Sequence, residues 1–107
     1  MAFICKQSNP SATTLTTLYT VPAATETVVS TIAVCNRAAA ATTFRIAVRP
    51  AGAAISNEHY IYYDLTIAAN DTFAATLGLT LSTTDVISVY ATLATLSFNL
   101  FGQENAT

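Results

Sequence analysis

Residues 42–49, TTFRIAVR, alternate without a break: Phe44, Ile46 and Val48 fall on one side of an extended chain, and Thr43, Arg45, Ala47 and Arg49 on the other. A two-residue period suits a strand with one buried face, whereas apolar positions on a helix recur every three or four residues. Six further stretches have strand length and strand character: 14–21, 26–36, 58–67, 72–81, 85–92 and 95–102. Turn chemistry separates them, as in Pro50-Ala51-Gly52-Ala53, Ala68-Ala69-Asn70-Asp71 and Ser82-Thr83-Thr84. Nineteen of the 107 residues are threonine, whose branched Cβ favours strands. The pattern predicts an all-β chain: one antiparallel β-sandwich of about seven or eight strands, with jelly-roll or Ig-like Greek-key connections.

Within that frame, residues 1–13 read as an irregular N-terminal arm because Gln7-Ser8-Asn9-Pro10-Ser11 is loop chemistry. Residues 14–103 form the sandwich, and 104–107 a loose tail. Residues 37–41, RAAAA, are too few for a helix of their own and predict a hairpin connection, with a short helical turn as the alternative. Strict alternation assigns the faces. In 26–36, Val28, Ile32 and Val34 share one side, and Val29, Ala33 and Cys35 the other, which suggests a strand covered on both faces. In 58–67, His59, Ile61, Tyr63, Leu65 and Ile67 point inward, and Tyr60, Tyr62, Asp64 and Thr66 outward. In 72–81 the inward set is Phe73, Ala75, Leu77, Leu79 and Leu81.

Charge narrows the function. Only 9% of residues are charged and the formal net charge is −2, so the chain lacks the basic face that a phosphate backbone or an anionic membrane surface demands. No stretch reaches the roughly 18 apolar residues of a membrane helix. The opening MAFICKQSNP carries no apolar run of a secretory leader, so Cys5 and Cys35 are expected as reduced thiols. Their spacing matches no zinc site, and Cys35 is expected to pack as a small apolar residue rather than act as a nucleophile.

Catalytic signals are weak. His59 is the only histidine, and Glu58 beside it points to the opposite face of a strand. A hydrogen-bonded, partly buried histidine is the simpler reading, and no catalytic or cofactor-binding residue is assigned. Asp71 and Asp85 sit at turns, where a backbone-bonding role is expected ahead of a cation site; no metal ligand is assigned. The candidate interface residues are Arg45, Arg49, Tyr60 and Tyr62, all outward by alternation. Arg45 and Arg49 either face solvent or pair with Asp64 on a neighbouring strand, or, on a sharper reading, make a two-point contact to a partner's carboxylates. Tyrosines offer an apolar body and a polar tip, a combination enriched at interfaces. Outward positions hold Thr, Ala and Ser rather than Lys and Glu, and one lysine in the whole chain leaves the sheet edges unguarded by charge. A surface this neutral suits a subunit packed against copies of itself or a larger body.

The phrases Leu18-Tyr19-Thr20-Val21-Pro22, Val34-Cys35-Asn36-Arg37, residues 41–48 (ATTFRIAV), 58–64 (EHYIYYD) and 96–102 (LSFNLFG) together resemble small structural proteins of tailed bacteriophages. The resemblance spans about residues 15–104 and lies in strand-and-turn phrases, not in a catalytic signature. Such proteins are similar to head decoration, or cement, proteins that clamp the outside of a capsid. The resemblance implies a non-enzymatic virion subunit made in the bacterial cytoplasm and placed on the capsid exterior. Its implied partners are the major capsid protein and itself, as a homodimer or homotrimer, without cofactor, direct nucleic-acid contact or membrane. A tail or fibre module binding a host receptor or glycan, through Tyr60, Tyr62 and residues 50–57, is the alternative.

Overall fold

The computed structural model describes residues 2–107. The described residues are all-β, with eight strands: β1 (Ala2–Ser8), β2 (Thr16–Thr20), β3 (Thr25–Asn36), β4 (Thr42–Arg49), β5 (Tyr60–Ile67), β6 (Thr72–Leu81), β7 (Val86–Ala91) and β8 (Leu96–Ala106). Two 3-10 turns, Pro50–Gly52 and Asn57–His59, interrupt the connection from β4 to β5. The strands form two four-stranded antiparallel sheets, β1-β8-β3-β6 and β2-β7-β4-β5. The pairs β1–β8, β2–β7, β3–β6 and β4–β5 are nested. The chain is in effect one long hairpin, folded at the β4–β5 connection and rolled into two layers. That is jelly-roll order, and it decides between the two sandwich topologies the sequence left open.

The core lies between the layers. Phe44 and Phe98 are fully buried and meet edge to face, with centroids 6.1 Å apart. Phe73, 5.6 Å from Phe44, and Tyr62, 5.4 Å from Phe73, extend the aromatic cluster. Ile32, Val34, Ile46, Ile87, Val89, Leu96 and Leu100 fill the rest without solvent contact.

Both termini depart from the sequence reading. The expected arm contains β1, seven residues paired along β8 from Ala2–Glu104 to Ser8–Phe98. Loop chemistry at residues 7–11 conceals the strand before it, because β1 is a sheet edge with no fully buried side chain and therefore no alternating pattern. The expected loose tail is the end of β8, since Thr25 pairs with Ala106 and Thr27 with Glu104. Glu104 is tied down further by Tyr19, whose hydroxyl donates to Glu104 Oε2 at 2.5 Å and accepts from Thr27 Oγ1 at 2.7 Å. Burial, and then the carboxylate it faces, push the Tyr19 phenol up to about 12 from an ordinary value of 10.0. A raised native pKa means that the unfolded state loses its proton first. This contribution is therefore intact below pH 10 and lost as the pH rises towards about 12. Urea melts from pH 9 to 12 should show a decline in wild type that is shallower in Tyr19→Phe.

The hairpin expected at 37–41 is instead a crossing from one sheet to the other, since β3 and β4 lie in different layers, and it holds no helix. Asn36 organises it. Buried to 1% exposure, its amide donates to the carbonyls of Ala40 (2.8 Å) and Ala68 (3.1 Å). Its Oδ1 accepts from Ala38 N–H (3.1 Å) and Thr95 Oγ1 (3.2 Å). One side chain thereby joins three connections at the same end of the sandwich.

Strict alternation also fails inside two strands. Register shifts at Val29/Thr31 place a bulge at Ser30, opposite a Gly78 with φ of 65°. The bulge puts Val29 in the core with Ile32 and Val34, and turns Val28 out to 41% exposure. β3 is thus covered on one face, not two, and Cys35 lies half-buried on the outer side.

Candidate functional site

Arg45 stands on the outer face of the β2-β7-β4-β5 sheet, paired across β7 with Tyr90. On its other side β5 carries two irregularities, between the pairs Phe44–Leu65 and Ile46–Tyr62 and between Ile46–Tyr62 and Ala47–Tyr60. Asp64 takes a left-handed φ of 52°, a conformation that aspartate tolerates better than most residues. The extra residues reset the two-residue period. Tyr62, expected outward, turns into the core against Phe44 and Phe73. Tyr63, expected inward, emerges at 58% exposure. Tyr60 stays outward, and Ile61 is exposed instead of buried.

The outcome is an aromatic platform around one cation. The Arg45 guanidinium lies 4.1 Å from the Tyr63 ring centre, 4.4 Å from that of Tyr90 and 5.9 Å from that of Tyr60. Its Nε donates to Asp64 Oδ1 at 2.7 Å and its Nη2 to Oδ2 at 3.3 Å, a two-point contact. The Asp64 hydrogen bond is the main cause of a raised Arg45 pKa, so the cation is permanent. Tyr60 and Tyr63 meet edge to face at 5.0 Å and 82°. With Asn57 they line an open groove of about 390 Å³. The ion pair cancels the local charge and fixes the guanidinium between rings. What remains for a ligand is two ring surfaces, phenolic hydroxyls, an amide and the remaining guanidinium N–H donors, groups that can stack and hydrogen-bond.

The sequence candidates are only partly brought together. Arg45 and Tyr60 share the platform, Tyr62 is in the core, and Arg49 lies outside the cluster with a buried Nε that has no hydrogen-bond partner among the described residues. Alternation missed Tyr63 and Tyr90. The usable signal for Tyr63 was the aspartate that follows it, a residue suited to a bulge inside a strand.

His59, Glu58, Asp71 and Asp85 each make local hydrogen bonds. His59 is in a 3-10 turn, not on the inward face of a strand, and its Nδ1 accepts the Ser56 N–H at 3.1 Å. Glu58 accepts from Ser56 Oγ at 2.6 Å, which holds its carboxyl below the ordinary range. Asp71 accepts from Thr72 N–H. Asp85 binds two loops at once, accepting from Ala51 N–H at 2.8 Å and Ser82 N–H at 2.9 Å. Cys5 and Cys35 are free thiols. No protein-family model, curated protein or solved structure matches this chain.

Proposed function

We propose that this chain is a non-enzymatic structural subunit of a bacteriophage particle, a capsid decoration protein bound to the major capsid protein. The observation that carries the reading is the platform of Tyr60, Tyr63 and Tyr90 around the Arg45–Asp64 pair, displayed on the outer face of a hydrogen-bonded sheet. Tyrosine and arginine are the residues enriched where protein interfaces concentrate their binding energy. Holding them in one geometry before contact spares the entropy of ordering them on binding. The jelly roll supports the reading by analogy of fold alone, since the same architecture recurs in viral coat domains and in lectins. A subunit that binds only the assembled shell stabilises it by mass action.

Quantitative mass spectrometry of purified particles tests this. A copy number matching the capsid lattice is the expected result, and absence from the particle would sink the proposal. A Tyr60→Ala/Tyr63→Ala variant should keep its fold and lose at least tenfold in affinity for capsids lacking the protein. The groove beside Asn57, Tyr60 and Tyr63 favours one second reading, a tail or fibre module that stacks a sugar ring on these tyrosines. A few copies per particle, with glycan binding lost in the same variant, would replace the first reading with the second.

A further inference from the structure

We infer that the outer face of the β1-β8-β3-β6 sheet is a self-association surface on which a second copy of this chain packs by two-fold symmetry. Three large apolar side chains stand on it: Phe3 at 83% exposure, Phe101 at 42% and Val28 at 41%. The register gathers them. Phe3 and Val28 flank Gln103 from the two sides of β8, and Phe101 lies between Cys5 and Thr31. A groove of about 290 Å³ runs beside them, lined by Phe3, Val28, Ser30, Gly102 and Gln103. Projecting ring and apolar groove are therefore neighbours on one face, the arrangement a self-complementary contact requires.

Charge selects the occupant. The outward positions of this sheet are otherwise Thr, Ser, Ala, Asn, Gln, Gly and Cys, and Glu26 near one end is the single charged side chain among the described residues there. Lys6 does not join them, because its ammonium lies 6.0 Å from the Tyr19 ring on the opposite sheet. A partner with a charged surface would lose hydration here and gain no counter-charge. A second copy of the same neutral face meets no such cost. With strands antiparallel across the two-fold axis, the two Glu26 carboxylates lie at opposite ends.

The area suffices. Four strands about 4.8 Å apart, with rows of roughly 7–10 residues at about 3.3 Å each, give a projected face of about 450–650 Å². That approaches the ~800 Å² per partner of a standard interface, before side-chain relief is added. The face lies on the opposite layer from the tyrosine platform, so a dimer would leave both platforms open to a larger partner.

Sedimentation velocity on the purified chain from 1 to 100 µM tests the inference. A dimer is expected. Phe3→Lys and Phe101→Lys should each weaken it at least 100-fold with unchanged circular dichroism, while Tyr63→Lys on the opposite sheet should leave it intact. Maleimide labelling of the exposed Cys5, on the same face, should slow as the dimer forms. A monomer throughout, a trimer, a dimer insensitive to both lysine variants, or Cys5 labelling independent of concentration would each overturn it. None of these outcomes bears on copy number in a particle, so the two proposals fail separately.

Discussion

Replacing Gly102 with alanine is expected to destabilise the chain by about 3 kcal/mol, the upper part of the range for forcing a group into filled space. Gly102 sits in β8 between Ile4 of β1 and Val29 of β3. A Cβ there would run into the Val28 carbonyl oxygen and crowd Val29 Cα at 3.1 Å. Both are backbone atoms at the bulge of the central strand, so no rotamer change relieves the contact. The ladder itself would have to open. For a domain of this size the loss corresponds to a fall in Tm of roughly 12–20 °C. Gly78→Ala is the control. Nothing lies within 4 Å of its added Cβ, and only the positive φ of 65° opposes it, so its cost should stay near 1–2 kcal/mol. Urea melts of both variants check the order; equal losses would show that close approach of the strands is not what Gly102 supplies.

Asn36→Leu should cost a similar amount, about 3 kcal/mol or more. The substitution preserves bulk but strands the four groups that Asn36 satisfies: the carbonyls of Ala40 and Ala68, the Ala38 N–H and the Thr95 hydroxyl. A single net hydrogen bond is worth about 1 kcal/mol, and a buried group left without a partner costs about 1–3 kcal/mol. Asn36→Asp separates the two halves of the network. It keeps the acceptor side and loses both donors, and at neutral pH it sets a buried charge against two carbonyl oxygens. Its destabilisation should therefore shrink between pH 7 and pH 4 as the carboxyl becomes protonated, whereas that of Asn36→Leu should not. Equal pH dependence in the two variants would remove the donor role from Asn36. Against a total stability of roughly 5–15 kcal/mol for a domain, either change is large.

Both predictions concern features that local periodicity does not encode. Alternation in residues 42–49 and 72–81 placed β4 and β6 to the residue, because an inward row that keeps its two-residue period from end to end leaves a direct trace in side-chain polarity. The same rule mis-assigned Val28, Val29, Tyr62 and Tyr63. One extra residue in a strand reverses every face beyond it, and an extra residue has no polarity of its own. The edge strand β1 was hidden for a related reason: none of its side chains is fully buried, so AFICKQS carries no alternating polarity to read.

The amino-acid sequence alone therefore determined that this chain is an all-β sandwich, since threonine-rich alternating segments between turn residues bury apolar surface best as two packed sheets. It also determined the neutrality of the surface. Tertiary structure alone decided the jelly-roll order, which depends on pairings between strands as distant as β1 and β8, where closure entropy and packing outweigh any local preference. It alone decided which tyrosines surround Arg45, because two bulges in β5 turn Tyr63 outward and Tyr62 inward. And it alone gathered Phe3, Val28 and Phe101, scattered along the sequence, on one face that carries a single charge, Glu26.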